Sequence, residues 1–108
     1  MKVRFEPLKT TVRLSKDEFS EYLCKNELIE STLFPGGKQL TFHLKLNDEK
    51  SFTFNDDHFH ISLPNKVIRP YRPSKIGVSV EFPLDSDNFH ILLFEVDIKK
   101  KPLNTRIL

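Results

Sequence analysis

Apolar and polar residues alternate along most of the chain with a period of two, which is typical of half-buried β-strands. The alternation is clearest over residues 39–46, where the four residues of one face are Leu40, Phe42, Leu44 and Leu46. Similar stretches, separated by residues typical of turns, predict about eight strands. The predicted strands are 2–6, 10–14, 28–34, 39–46, 51–55, 59–63, 76–82 and 89–98.

One segment has helical periodicity instead. Ser15 is a predicted N-cap, and Glu18, three residues later, completes a capping box. An apolar stripe follows at helical spacing, and Asn26 is suited to end the helix in the left-handed conformation. A helix of two to three turns is marginal in isolation, so we expect it to pack on a sheet.

These elements predict an α+β protein, a mostly antiparallel meander of about eight strands with one short N-terminal helix packed on it. A sheet of that size often curls into a partial barrel. The last strand is apolar on both faces, which predicts a central position in the sheet. The 108 residues suit one domain, which we assign to residues 1–98. We expect the basic tail 99–108 to be flexible, and no internal repeat is evident.

Composition narrows the class of protein further. The net charge is only +2, which argues against a dedicated nucleic-acid binder, and a single cysteine excludes an intramolecular disulfide. No apolar run is long enough for a signal peptide or a membrane span, which predicts a soluble cytoplasmic protein without a membrane partner. Catalytic fingerprints are absent, and Cys24 is expected at a helix end whose dipole opposes a thiolate. Enzymatic activity is therefore disfavoured, and no cofactor is predicted.

Several segments resemble a family of small uncharacterised bacterial proteins. The opening M-K-V-R, then T-V-R-L-S-K-D-E-F and E-L-I-E-S-T-L-F, carry the resemblance. It covers nearly the whole chain and implies no activity, because none is established for that family. The histidines fall outside the shared pattern. Further matching segments are Leu40-Thr41-Phe42, Ile61-Ser62-Leu63-Pro64, Ile76-Gly77-Val78, Pro83-Leu84-Asp85 and Ile91-Leu92-Leu93-Phe94-Glu95-Val96-Asp97.

A His-x-His pair raises the question of a metal site. On a strand, His58 and His60 share a face about 6.8 Å apart, a spacing at which two imidazoles can chelate one ion. His43 is the candidate third ligand. In a meander, however, Thr53 would lie between His43 and His60, which would separate these histidines by two strand spacings, about 9.6 Å. A solvated strand face is the favoured interpretation, and a histidine-based metal protein is an alternative.

The connection 65–75 carries cations without acids. Pro70 and Pro73 stiffen this segment, and such a rigid basic loop with an aromatic residue suits phosphate, RNA or an acidic protein surface. An ordinary stiff crossover explains the same pattern and is preferred. The candidate partner-binding residues are Lys66, Arg69, Tyr71, Arg72 and Lys75.

The sequence therefore predicts a small binding or protein-interaction module whose partner, an unknown protein or an anionic molecule, it does not identify. The alternatives are the histidine-based metal protein and an anion or nucleic-acid binder that uses the basic loop. For the loop, we expect reversal of Arg69 and Arg72 to glutamate to change stability by no more than about 0.5 kcal/mol.

Overall fold

The computed structural model describes residues 1–98, and the predicted tail 99–108 lies outside the described residues. Eight strands form, as expected, together with one helix that was predicted and a second, shorter helix that was not. No helix within residues 1–98 is long and apolar enough to cross a membrane. The elements are β1 Lys2–Glu6, β2 Lys9–Leu14, α1 Lys16–Lys25, β3 Glu27–Leu33, β4 Gln39–Asn47, β5 Ser51–Asn55, β6 His58–Pro64, α2 Asn65–Ile68, β7 Val78–Pro83 and β8 Phe89–Val96.

The strands form two four-stranded sheets, sheet A with the order β1-β2-β8-β7 and sheet B with the order β3-β4-β6-β5. Each sheet joins two antiparallel hairpins through a parallel pair of inner strands, β2 with β8 and β4 with β6. Strand pairing is mostly antiparallel, as predicted, and within residues 1–98 no closed barrel forms. The predicted meander is nevertheless wrong. The reason is that α1 and α2 carry the chain from one sheet to the other. Strand β8 is an inner strand, as its two apolar faces indicated.

The two sheets are built alike, because the chain runs through the same ββαββ order twice, in residues 2–47 and 51–96. In both halves the first hairpin has a two-residue turn and the second a five-residue turn. The two parallel pairs also have the same register. Lys9, the first residue of β2, pairs with Ile91, the third of β8, and His58, the first residue of β6, pairs with Thr41, the third of β4. The chain therefore contains a structural repeat, although its residue identities show none.

The core lies between the two sheets, under α1. Equivalent positions of the two halves contribute equivalent side chains, such as Val12 and Ile61, all of them buried. Tyr22 of α1 is fully buried and donates its hydroxyl to the carbonyl oxygen of Lys45 at 2.7 Å, and burial raises the pKa of this phenol. The buried apolar residues are Val12, Leu14, Phe19, Tyr22, Leu28, Phe42, Leu44, Leu46, Ile61, Leu63, Ile68, Val80, Phe82, Leu92, Phe94 and Val96.

Both ends of α1 follow the sequence prediction. The Ser15 side chain accepts from the backbone N–H of Glu18, and the Glu18 carboxylate accepts from that of Ser15. Asn26 ends the helix with φ 63°, in the left-handed region. Cys24 lies near this end of the helix, as expected, and is exposed.

Candidate functional site: a basic cleft on sheet A

The outer face of sheet A, opposite the core, forms an open cleft of about 400 Å³. Most of its walls come from the first hairpin, and β8 supplies the remainder. The lining residues are Lys2, Val3, Arg4, Lys9, Thr11, Arg13, Leu93 and Glu95.

Strand alternation brings the cations of this cleft to one face. Because successive side chains of a strand point to opposite faces, the burial of Val12 turns Thr11 and Arg13 outward. The hairpin register then sets Lys2 opposite Arg13 and Arg4 opposite Thr11. Lys9 of β2 adds a fourth cation to the same face. Four cationic side chains from two neighbouring strands therefore surround Thr11.

The cations outnumber the acids that could neutralise them. Arg13 donates to Glu95 Oε1 at 3.2 and 3.3 Å, and this is the one carboxylate that lines the cleft. Arg4 lies 3.5 Å from Glu6, in an exposed pair that is worth little. Lys2 and Lys9 have no ion pair among residues 1–98. The cleft is thus a local region of positive potential on a chain that is nearly neutral as a whole.

Thr11 supplies an unpartnered polar atom at the same place. Its Oγ1 is buried and has no hydrogen-bond partner within residues 1–98. Buried polar groups are rarely left unpaired, and those that are often take part in a function or bind something additional. A hydroxyl both donates and accepts, so Thr11 can complement an oxyanion or a hydroxyl of a ligand.

The basic loop predicted from the sequence uses part of its polar groups internally. The Arg69 guanidinium donates to Asn65 Oδ1 at 3.0 Å, to the Leu23 carbonyl at 3.2 Å and to Asn26 Oδ1. It therefore fastens α2 to the end of α1. Its reversal to glutamate would break these bonds, contrary to the stability expected for a free surface arginine.

Tyr71 of the same loop is also used structurally. Its ring meets the rings of Phe19 and Phe94 edge-on, at centroid distances of 6.1 Å each, and its hydroxyl donates to the Ile76 carbonyl at 3.0 Å. Lys66, Arg72 and Lys75 are exposed. These three cations remain accessible to an anion. That the loop is a binding site stays a prediction.

The predicted histidine register is wrong in one respect. Thr53 does pair with His60, as expected from the two-residue turn Asp56-Asp57. His43, however, pairs with His60 directly, because β4 lies beside β6 and not beside β5. His43 and His60 are therefore one strand spacing apart, and not two as inferred from a meander. The three histidines His43, His58 and His60 share one face of sheet B.

An exposed aromatic stack lies elsewhere on the molecule. Phe59 stacks between Phe5 and Phe54, at centroid distances of 5.1 and 4.3 Å. Phe54 is 55% exposed, because it lies on the edge strand β5. Nothing in the described residues indicates what would cover this stack.

Sequence reasoning missed the cleft although a signal for it was present. Lys2 and Arg4 share one parity of β1, and Lys9 and Arg13 share one parity of β2. Two adjacent strands with cations on the same face predict a basic patch. The run of cations at 65–75 drew attention because its members are close in sequence, whereas the cleft assembles only after the hairpin register is known.

Comparison with known proteins leaves the activity open. The sequence model of a family described as "Family of unknown function (DUF7009)" matches residues 1–101. No curated protein and no solved structure matches the chain.

Proposed function

We propose that this chain, which belongs to that family of unknown function, is a binding module that holds an anionic ligand in the basic cleft of sheet A. Membership of an uncharacterised family was expected from a resemblance over nearly the whole chain, and the match over residues 1–101 agrees with it. One observation carries the proposal. Four cationic side chains and one carboxylate surround a buried, unpartnered hydroxyl in a cleft of about 400 Å³.

The lining indicates the chemistry of the ligand. Guanidinium groups bind phosphate or carboxylate with two parallel hydrogen bonds, and ammonium groups act as point charges. The cleft volume lies in the range of small-molecule sites, about 300–1,000 Å³. Leu93 adds apolar surface for an uncharged part of the ligand. These features favour a small molecule that bears two or more phosphate or carboxylate groups.

Calorimetric titration with inorganic tripolyphosphate tests the proposal. We expect the full chain to bind at low ionic strength and to lose affinity as salt screens the cations. The double variant Arg4→Ala, Lys9→Ala should bind at least about tenfold more weakly, because each charge-assisted hydrogen bond contributes about 1.5–3 kcal/mol.

The basic loop provides the matched control, since an arginine and a lysine can be removed there as well. The variant Lys66→Ala, Arg72→Ala removes the same charge and should bind like wild type. If the loop variant weakens binding and the cleft variant does not, the anion site lies in the loop. Absence of binding at low salt would refute both sites.

A single-stranded oligonucleotide, titrated in parallel, distinguishes a small ligand from a polymer. If the oligonucleotide alone binds, with a salt dependence that corresponds to several phosphate contacts, the ligand is a nucleic acid and not a small molecule.

A bacterial origin and a cytoplasmic location, both predicted from the sequence, belong to the proposal as its expected setting.

A further inference from the structure

The outer face of sheet B brings three of the four histidines of the chain together. His43 and His60 are register partners on the inner strands β4 and β6, which are one strand spacing apart, about 4.8 Å. Their ring centroids are 5.9 Å apart. His58, two residues before His60 on the same face, stacks on it with centroids 4.5 Å apart and ring planes 8° apart.

Glu27 of the edge strand β3 orients one of these rings. Its Oε1 lies 2.7 Å from His43 Nε2, which must carry the proton because an ionised carboxylate only accepts. The lone pair of His43 is thereby left on Nδ1. Histidines that bind metals commonly donate their other ring N–H to a carboxylate in this way, which fixes the tautomer and raises the basicity of the ligand.

We infer that His43, His58 and His60 form a binding site for one divalent transition metal ion of the zinc or copper type. Three imidazoles with a fourth position open to water make up a common zinc ligand set. In the present side-chain positions, residues 1–98 contain no group of three or more histidine, cysteine or acidic side chains arranged to hold an ion. Binding of an ion to all three histidines therefore requires the rings of His58 and His60 to turn out of their stack.

The inference is independent of the basic cleft, which lies on the other sheet. Titration of the untagged full chain with Zn²⁺, and with Co²⁺ as a spectroscopic probe of four-coordinate geometry, tests it. We expect one ion per chain. We also expect affinity to fall as the pH is lowered, because protons compete with the ion for the ring nitrogens.

Single substitutions distinguish a specific three-histidine site from weak metal binding by His58 and His60 alone. His43→Ala and His60→Ala should each abolish the Co²⁺ spectrum, and Glu27→Ala should weaken Zn²⁺ binding about 10- to 100-fold. His90→Ala is the matched control, because His90 is hydrogen-bonded to Thr10 on sheet A and lies outside the cluster. It should bind like wild type.

Three results would overturn the inference. They are no Zn²⁺ binding by the wild type, binding that survives His43→Ala unchanged, and equal weakening by His90→Ala. Circular dichroism of each variant shows that the fold is intact, and His43→Asn, which keeps a polar group at that position, repeats the test if the alanine variant unfolds.

Discussion

At the scale of single residues, two adjacent threonines of β2 differ in a way that can be measured. Thr10 is fully buried on the core side, and its Oγ1 lies 2.7 Å from His90 Nε2. Thr11 points to the cleft, and its buried Oγ1 has no partner within residues 1–98. Leaving a buried polar group unpaired costs about 1–3 kcal/mol, whereas removing an unpaired one relieves a cost.

The two valine variants should therefore behave oppositely. We expect Thr10→Val to lower the free energy of unfolding by about 1–2 kcal/mol, because His90 loses its partner. Thr11→Val should leave it unchanged or raise it by up to about 1 kcal/mol, while tripolyphosphate binding weakens. Urea unfolding with an unchanged slope measures both. If Thr11→Val is as destabilising as Thr10→Val, the Thr11 hydroxyl is satisfied in solution and its place in the cleft is lost.

Residue roles could be predicted from the sequence where they depend on near neighbours. Ser15, Glu18 and Asn26 act within one helix, so their spacing sufficed. Arg69 could not be understood in this way, because its partner Leu23 is 46 residues away. The same holds for His43, whose position beside His60 depends on which strands pair.

At the scale of elements, the first hairpins of the two halves have different turns of equal length. Asp56 and Asp57 both have positive φ, 51° and 60°. Such a pair of left-handed residues is the type I′ turn that suits two-residue hairpins. The equivalent turn, Pro7-Leu8, contains no residue of positive φ. The same loop length is therefore achieved with strained backbone in one half and unstrained backbone in the other.

Glycine substitution distinguishes the two turns. Asp57→Gly should raise the free energy of unfolding by about 0.5–1 kcal/mol, because glycine adopts positive φ without the steric cost of a β-carbon. Leu8→Gly should lower it by about the same amount, since there glycine only adds freedom to the unfolded chain. Thermal unfolding of the two variants measures the difference. Equal changes of the same sign would show that the Asp57 backbone is not left-handed in solution.

Strand existence could be read from the sequence, and strand partners could not. Period-two patterning determines which side chains share a face, but it does not determine which strand lies alongside. A short turn between β4 and β5 suggested a hairpin, yet β5 is an edge strand that pairs with β6 alone. The chain passes from an inner strand to the edge and back, so the short turn connects strands that are not neighbours. The wrong histidine spacing follows from this assumption, and so does the meander expected within sheet B.

At the scale of the whole molecule, the repeat relates the two candidate sites. Lys9 and Thr11 of the cleft occupy the positions that His58 and His60 occupy on the outer face of sheet B. Leu93 likewise corresponds to His43. The same framework therefore presents cations on one outer face and imidazoles on the other. Because the core positions of the two halves are similar while the outer ones differ, the chemistry of each face varies without a change of fold.

The halves are also interlocked, which predicts how the chain can be divided. Each sheet takes one hairpin from residues 2–47 and one from 51–96, and they meet in the parallel inner pairs β2–β8 and β4–β6. A single half would leave each inner strand without a partner along one edge and its apolar face in water. We therefore expect fragments 1–49 and 50–98 to be unfolded alone, and their equimolar mixture to regain β-structure.

Circular dichroism and size-exclusion chromatography of the separate and mixed fragments measure this. The topological equivalence of the halves allows a second outcome, in which two copies of fragment 1–49 pair as the two halves do, since β2 and β4 of one copy can meet β4 and β2 of the other. Such a dimer would unfold at a concentration-dependent temperature, because its stability depends on association. A fragment that folds cooperatively as a monomer would contradict the interlocked arrangement, because its inner strands would then need no partner from the other half.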